Sequence, residues 1–578
     1  MSTKTAAFLA LCLLIFSCTQ EFAAYNETAD FSITSPKAGW NYFEDAKIMF
    51  SVDVNTEDIR WMSSLSGFLG AGNHLTLFLP DGLHRVSAEI RGQRKEQNVY
   101  VSPNIGGTRT ILVNYSPLEI KAKGGNCSSY LYSHDGSVNN FSISSIHSVT
   151  AYSQEFINKE ILYKPARDIR FPMPNAGKRI DRIRRRSITG ISYNIGDKRS
   201  FFVTNTVNQT GPPHQITAVL TYQSGALSVW LSESAALSGN GLDDCIRTVE
   251  TLVIPRVEAL WGKTADIDGN GRIALLFSPT INDEQAAFGF FNPADFFERN
   301  EDILSDAYNP SSNEIAVIYA ALPESGPDSP YSATAIIATI AHEMAHAATF
   351  TAKTWGRIQN GNKQAQREEL FLDEGWSHLT ENLCGLGISG GNIEFTKRFF
   401  NDTSMYSFCG ANRAGQDDSA GMRGAITLFL SWLFWEAGGM SWNSANPIML
   451  IDRGGISFLK RMIESPDTGW ESIGKAFGRP TRQLFNEFLE EMHKYRLQNS
   501  AYNYKTDPFT GEAVDFFVNM GGATGLGFPK SSSAFTTTSL TPWSFVFMED
   551  FNMPDDSLLM LDSGNLTENI FFSFSVRK

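Results

Sequence analysis

The chain has 578 residues, too many for one hydrophobic core, so three or four domains are expected. Hydrophobic residues make up 42% and charged residues 19%, the balance of an ordinary folded protein. A net charge of −14, with a pI near 5.2, argues against nucleic acid as a partner, because phosphate binding needs clustered Lys and Arg; peptide substrates stay open.

Lys4, the short apolar run from Ala6 to Phe16, and Ser17-Cys18 after it read as an export signal. The run is too short to span a bilayer, which takes about 20 apolar residues. Ile15-Phe16-Ser17-Cys18 resembles a bacterial lipobox, whose cysteine is acylated and becomes the new N-terminus. The resemblance implies a signal peptide over 1–18 and a lipid anchor on Cys18, placing the protein at the bacterial cell envelope, on the outer membrane or cell surface. Plain secretion after a cut near Ala23 is the alternative, and both routes lead out of the cytoplasm. With Cys12 removed and Cys18 lipidated, Cys127, Cys245, Cys384 and Cys409 remain. A Cys384–Cys409 disulfide is expected because it would close a short loop, and no C-x-x-C spacing suggests a cysteine zinc site.

Residues 19–28 are polar and read as a tether. Over 29–104, alternating apolar runs such as Ile48-Met49-Phe50-Ser51-Val52 and Leu75-Thr76-Leu77-Phe78-Leu79 give a β-sandwich pattern. Ile59-Arg60-Trp61 followed by Gly67, Gly70 and Gly72 resembles bacterial immunoglobulin-like modules, and the resemblance implies a spacer with Trp61 between two sheets. Residues 105–240 are also rich in strands, with Ile216–Leu220 and Leu227–Leu231 the clearest. The basic cluster Lys178-Arg179, Arg182 and Arg184-Arg185-Arg186 reads as a solvated loop, with a processing site as the alternative. From 241 to 502 apolar spacing of three and four predicts helices. Ala425 to Trp435, bounded by Arg423 and Glu436, is too short for a membrane span and is expected to be a core helix. Residues 503–578 return to strands.

The chemistry concentrates in 333–350. Alanine, isoleucine and methionine predict a buried helix, and inside it stands His342-Glu343-Met344-Ala345-His346. Two histidines four apart project from one helix face and can share a metal ion, and the glutamate beside the first can reach a water on that metal. With nine histidines in the chain, a chance match is on the order of one in a hundred. A catalytic zinc needs a third protein ligand and one open position. Thr349 and Ala352 rule out the metzincin pattern. Downstream, Leu372-Asp373-Glu374-Gly375 opens a second helix and resembles the gluzincin arrangement, which implies Glu374 as third ligand; Asp373, Glu369 and Glu381 are rivals. His378, one turn beyond Glu374, could orient a ligand, stabilise an oxyanion or bind substrate, with a plain helix-surface histidine as the alternative. Tyr319, Tyr331 and Tyr406 are further oxyanion candidates.

The order of features over roughly 200–500 resembles the hyicolysin-type zinc metallopeptidases: Asp266-Ile267-Asp268-Gly269-Asn270-Gly271-Arg272-Ile273, then Ser312-Asn313-Glu314-Ile315, the His-Glu-x-x-His helix, Leu-Asp-Glu-Gly, Gly469-Trp470-Glu471 and Gly478-Arg479-Pro480. The resemblance implies a multidomain protein. N-terminal β-sandwich modules lead into a mainly α zincin-like (α+β) metallopeptidase domain and a short C-terminal β segment. It also implies Zn2+ as cofactor, a protein or peptide substrate and Glu343 as general base. An inactive surface binding protein or adhesin on the same fold is the alternative. The Asp266-x-Asp268-Gly-Asn270 stretch mimics the start of an EF-hand loop, but Phe277 stands where a bidentate Glu is needed. It is expected to be a tight turn into a strand, with a partial Ca2+ site as the other possibility.

Overall fold

A computed structural model describes residues 31–144 and 192–577 apart from short breaks, the longest at 516–528. The export signal with Cys18, the tether and the basic cluster at 178–186 lie outside the described residues. The chain forms two compact units, one of Met1–Leu131, Asn139–His147 and Met548–Lys578, the other of Tyr132–Val138 and Ser148–Phe547.

The first unit opens with two sheets. Strands β1 (Ile33–Ser35), β3 (Ile48–Val52) and β6 (Leu75–Leu77) make one. The other contains β2 (Asn41–Phe43), β4 (Arg60–Ser63), β5 (Gly67–Ala71), β7 (Gly82–Ile90) and β8 (Gln93–Ser102). Alternation does what the sequence pattern requires: Ile48 and Phe50 enter a common core while Met49 is left exposed. Trp61 comes from the other sheet. Its ring meets Phe50 edge-on at 5.3 Å, and its indole N–H donates to the Gly72 carbonyl at 3.1 Å, so the one polar atom is satisfied. Strands β9 (Thr108–Val113), β10 (Leu118–Lys121), β11 (Gly125–Ser133) and β12 (Val138–Ser144) follow. The end of the chain returns here: Ile570–Arg577 pairs antiparallel with β9, and Leu558–Leu566 with β10.

The second unit is built on a six-stranded sheet. Its strands are β13 (Lys198–Val203), β14 (His214–Gln223), β15 (Leu227–Ser232), β16 (Ile273–Phe277), β17 (Gly289–Phe291) and β18 (Val317–Ala320), ordered β13-β14-β15-β16-β18-β17. β15, β16 and β18 run parallel and are buried along their whole length, as strands covered on both faces must be. Parallel neighbours need a crossover. Between β15 and β16 it is supplied by helices α1 (Leu242–Thr248) and α2 (Ile254–Trp261), joined by a π turn. The boundary expected at 240/241 therefore runs through this sheet; what reads along the chain as a change of domain is the crossover itself.

α3 (Pro279–Glu284) follows β16, and beyond β18 the unit is mainly helical: α4 (Ala333–Phe350), α5 (Gly356–Gln359), α6 (Leu370–Leu383), α7 (Gly387–Gly390), α8 (Asn392–Asn401), α9 (Ala420–Glu436), α10 (Gly455–Glu464), α11 (Gly469–Phe477) and α12 (Thr481–Gln498). α9 is buried from Ala420 to Phe434 and is the expected core helix. No helix among the described residues is long and apolar enough to cross a membrane. The Cys384–Cys409 disulfide does not form, because the intervening chain is spent on α7 and α8. Cys384 is a free thiol enclosed at the end of α6, and burial pushes it up to about 12, which leaves it inert.

α9 crosses α6 without clearance at Gly375, where a Cβ would stand 2.7 Å from Leu430 Cδ1 and 2.8 Å from Ile426 Cγ1. Elsewhere in a helix interior Gly→Ala gains about 1 kcal/mol. Here Gly375→Ala is expected to cost about 1–3 kcal/mol by overpacking, seen as a lower Tm in thermal unfolding. A raised Tm would mean that the two helices are not in contact at this point.

Candidate metal centre

α4 starts at Ser332, whose hydroxyl accepts from the Ala335 N–H at 3.3 Å. Ala335 to Phe350 are all buried, so the helix lies inside the unit and its few polar side chains must be answered from neighbouring elements. α6 answers them. It carries Asp373, Glu374, His378 and Glu381, each at most 4% exposed, with the two acids of its first turns near the positive end of the helix.

The side chains converge on one point. His342 Nε2 and His346 Nε2 are 3.1 Å apart, Glu374 Oε2 is 3.4 Å from the first and Glu374 Oε1 is 3.7 Å from the second. Nitrogen and oxygen ligands held about 2.1 Å from a tetrahedral zinc stand about 3.4 Å from one another. The three groups are thus spaced as ligands of such an ion, and a buried His/His/Glu cluster able to coordinate a divalent metal sits between α4 and α6.

The far side of each ring is fixed as well. His342 Nδ1 donates to Glu381 Oε1 at 2.8 Å and His346 Nδ1 donates to Asp373 Oδ1 at 3.1 Å. Donation from Nδ1 leaves the Nε2 lone pair for the metal, the usual service of a carboxylate behind a histidine ligand. Asp373 is held in turn by Arg367 at 3.1 Å. Of the three rival ligands, Asp373 and Glu381 therefore stand behind the histidines, and Glu369 is exposed at the start of α6. His378 donates from Nδ1 to the same Glu381 oxygen at 2.9 Å, with its ring 4.5 Å from that of His342. His342, His378 and Glu381 form a second trio of possible ligands. It faces Nδ1 of His342, so filling both trios would strip one imidazole of both protons. The geometry provides for one metal.

Electrostatics follow the same plan. Burial works against a charge on His346, but Asp373 and Glu374 outweigh it and raise the imidazole to about 9. Burial also works against Glu374 as an anion, yet Arg423, then His346 and His342, hold it well below the usual carboxylate range. Glu381 is lowered too, with His378 and His342 overcoming its burial. Arg423 is the functional neighbour that sequence reasoning passed over: its Nη1 lies 3.0 Å from Glu374 Oε2. The signal was a charge in the first turn of a helix whose next charge is Glu436 at its far end.

The oxyanion candidates separate. The Tyr319 hydroxyl donates to Asp295 at 2.7 Å and Tyr331 donates to the Asn282 carbonyl at 3.4 Å, so both are engaged elsewhere. Tyr406 is buried with its ring against Gly421, in the turn of α9 that carries Arg423. The Asp266–Gly271 stretch is a turn closed by its own side chains, Asp266 accepting from the Asn270 and Gly271 amides at 3.0 and 2.9 Å, and it leads into β16. No protein-family model and no curated protein sequence matches the chain.

With the imidazole at about 9, His346 carries a proton at neutral pH that must leave before its Nε2 can bind a metal. Zinc uptake is expected to release about one proton between pH 6.5 and 9, with conditional affinity rising about tenfold per pH unit over that window and levelling above it. Calorimetric titration in two buffers of different ionisation enthalpy measures the count. Uptake with no proton release at pH 7 would show that His346 is already neutral.

Proposed function

We propose that the protein is a zinc metallopeptidase of the gluzincin type, related to the hyicolysin-type enzymes, that hydrolyses peptide bonds of protein or peptide substrates outside the cytoplasm. The observation that carries the reading is the triangle of His342 Nε2, His346 Nε2 and Glu374, with sides of 3.1 to 3.7 Å on two helices. In this reading lipid on Cys18 attaches the protein to the cell envelope, and the two-sheet module of the first unit acts as an immunoglobulin-like spacer.

His342, His346 and Glu374 would hold a zinc ion, which when bound would supply a Lewis acid able to lower the pKa of a water towards about 7 and polarise the scissile carbonyl. Glu343 follows His342 on α4 and is 1% exposed. Its carboxylate takes the proton from the attacking water and delivers it to the departing amine. Asp373 and Glu381 keep the two rings in the tautomer that presents Nε2. His378 acts behind His342, through the shared Glu381 oxygen.

A second reading, an inactive binding protein on the same fold, draws on the depth of the site: His342, Glu343 and Glu374 are at most 2% exposed. Metal content measured beside casein or peptide hydrolysis, for wild type and Glu343→Gln, separates the two. The peptidase reading expects one zinc in both proteins, with activity lost to chelator and reduced about 10²–10⁴-fold in the variant. Zinc without hydrolysis in the wild type would move the assignment to a binding protein. Wild-type activity in Glu343→Gln would show that Glu343 is not the base.

A further inference from the structure

Glu374 places both of its oxygens near the metal position, Oε2 3.4 Å from His342 Nε2 and Oε1 3.7 Å from His346 Nε2. A carboxylate so placed can bind through one oxygen or through both. Binding through both would fill the position that a catalytic zinc keeps open. What decides between them is whatever else holds the carboxylate.

Arg423 is in place to do so. It is 3% exposed and is the one charged residue between Ala420 and Phe434, the buried length of its helix. Its position is fixed by packing: Ile426 and Leu430, the side chains seated on Gly375, lie on the same face of α9, about one and two turns further on. The contact that seats α9 on α6 therefore also sets Arg423 over Glu374, the residue before Gly375. One edge of the guanidinium is clamped by Asp418, with Nε donating to Oδ1 at 2.8 Å and Nη2 to Oδ2 at 2.6 Å. That two-point fork fixes the plane of the group and keeps Nη1 3.0 Å from Glu374 Oε2 as an ion pair.

Resting on the zinc reading above, we propose that Arg423 is a positioning residue that makes Glu374 a one-oxygen metal ligand, with Asp418 fixing its orientation. The guanidinium charge beside Oε2 holds negative charge on that oxygen and competes with the metal for it, which disfavours two-oxygen binding. The coordination position for water and substrate stays open as a result.

Cobalt(II) in place of zinc reports coordination number directly. Four-coordinate sites absorb strongly in the visible and five-coordinate sites more weakly. Wild type is expected to bind one cobalt with the strong spectrum. Arg423→Gln should weaken the band and lower zinc affinity, measured against a competing chelator, by about 10- to 100-fold, the range for groups that orient metal ligands. Arg423→Lys keeps the charge and loses the fork, so partial recovery of both readouts is expected. Asp418→Asn leaves the arginine in place and frees its far edge. It should shift both readouts the same way by less, and it carries the test if Arg423→Gln does not fold. Unchanged spectra and affinity in the variants, beside a four-coordinate wild type, would overturn the role of Arg423. A wild type that takes up no cobalt or zinc would instead overturn the metal centre itself.

Discussion

Four carboxyl groups, those of Glu343, Asp373, Glu374 and Glu381, lie at most 4% exposed on two helices, and the arrangement around them is governed by the cost of burying charge. Each partner found for them is cationic or can become so. Glu374 faces both metal-side nitrogens and Arg423, Asp373 faces His346 and Arg367, and Glu381 faces His342 and His378. Arg367 and Arg423 balance part of this charge, with Arg423 shared between Glu374 and Asp418. A divalent cation at the meeting point of the Nε2 atoms, which the cluster could coordinate, would balance more of it. A proton held on His346 with a pKa of about 9 is a partial substitute for that cation, drawn by the same carboxylates.

Holding so much charge in place requires helices closer than ordinary side chains permit. Gly375 lets α9 rest on α6, and Gly424 lets α9 meet the Phe395 carbonyl of α8. Gly390 of α7 leaves room for Glu381 Oε2. α7 is only one turn long and needs support of its own. Glu512 supplies it by accepting the Ile388 and Ser389 amides at 2.8 and 3.0 Å. The same stretch of chain is pinned by Asp507, which takes Arg256 Nη1 at 2.6 Å in a fully buried pair. The wall behind His342 thus depends on residues more than a hundred positions further along the chain.

What the sequence makes legible is what repeats locally. The four-residue interval in His342–His346 fixes a shared helix face, and the alternation at Ile48–Val52 fixes which side chains enter the sandwich core. Glu374 was reached through Asp-Glu-Gly, and the glycine in that phrase turns out to be the contact point for α9. Nothing local marks Arg423 as its partner, since the register of α9 on α6 is a property of packing between distant segments. The same limit explains the other differences. Parallel pairing across the α1–α2 crossover joins strands that composition assigns to separate regions. Closeness along the chain between Cys384 and Cys409 gave way to the two helices that fold between them. Asp373 and Glu381 have the chemistry of ligands, and only their positions behind the rings show that they orient the histidines.

The two histidines are not held alike, and the difference gives the centre a direction. His342 is 2% exposed and is backed by Glu381 and His378, at 2% and 1%. On the other arm His346 is 6% exposed, and its carboxylate is tied to an arginine whose side chain is 14% exposed. Cover therefore thins from His342 towards His346 and Arg367. Charged groups near water exchange partners more readily than enclosed ones, because solvent screens the lost interaction. The enclosed arm, with His342, Glu381 and His378 all at most 2% exposed, provides the fixed point against which the centre is built.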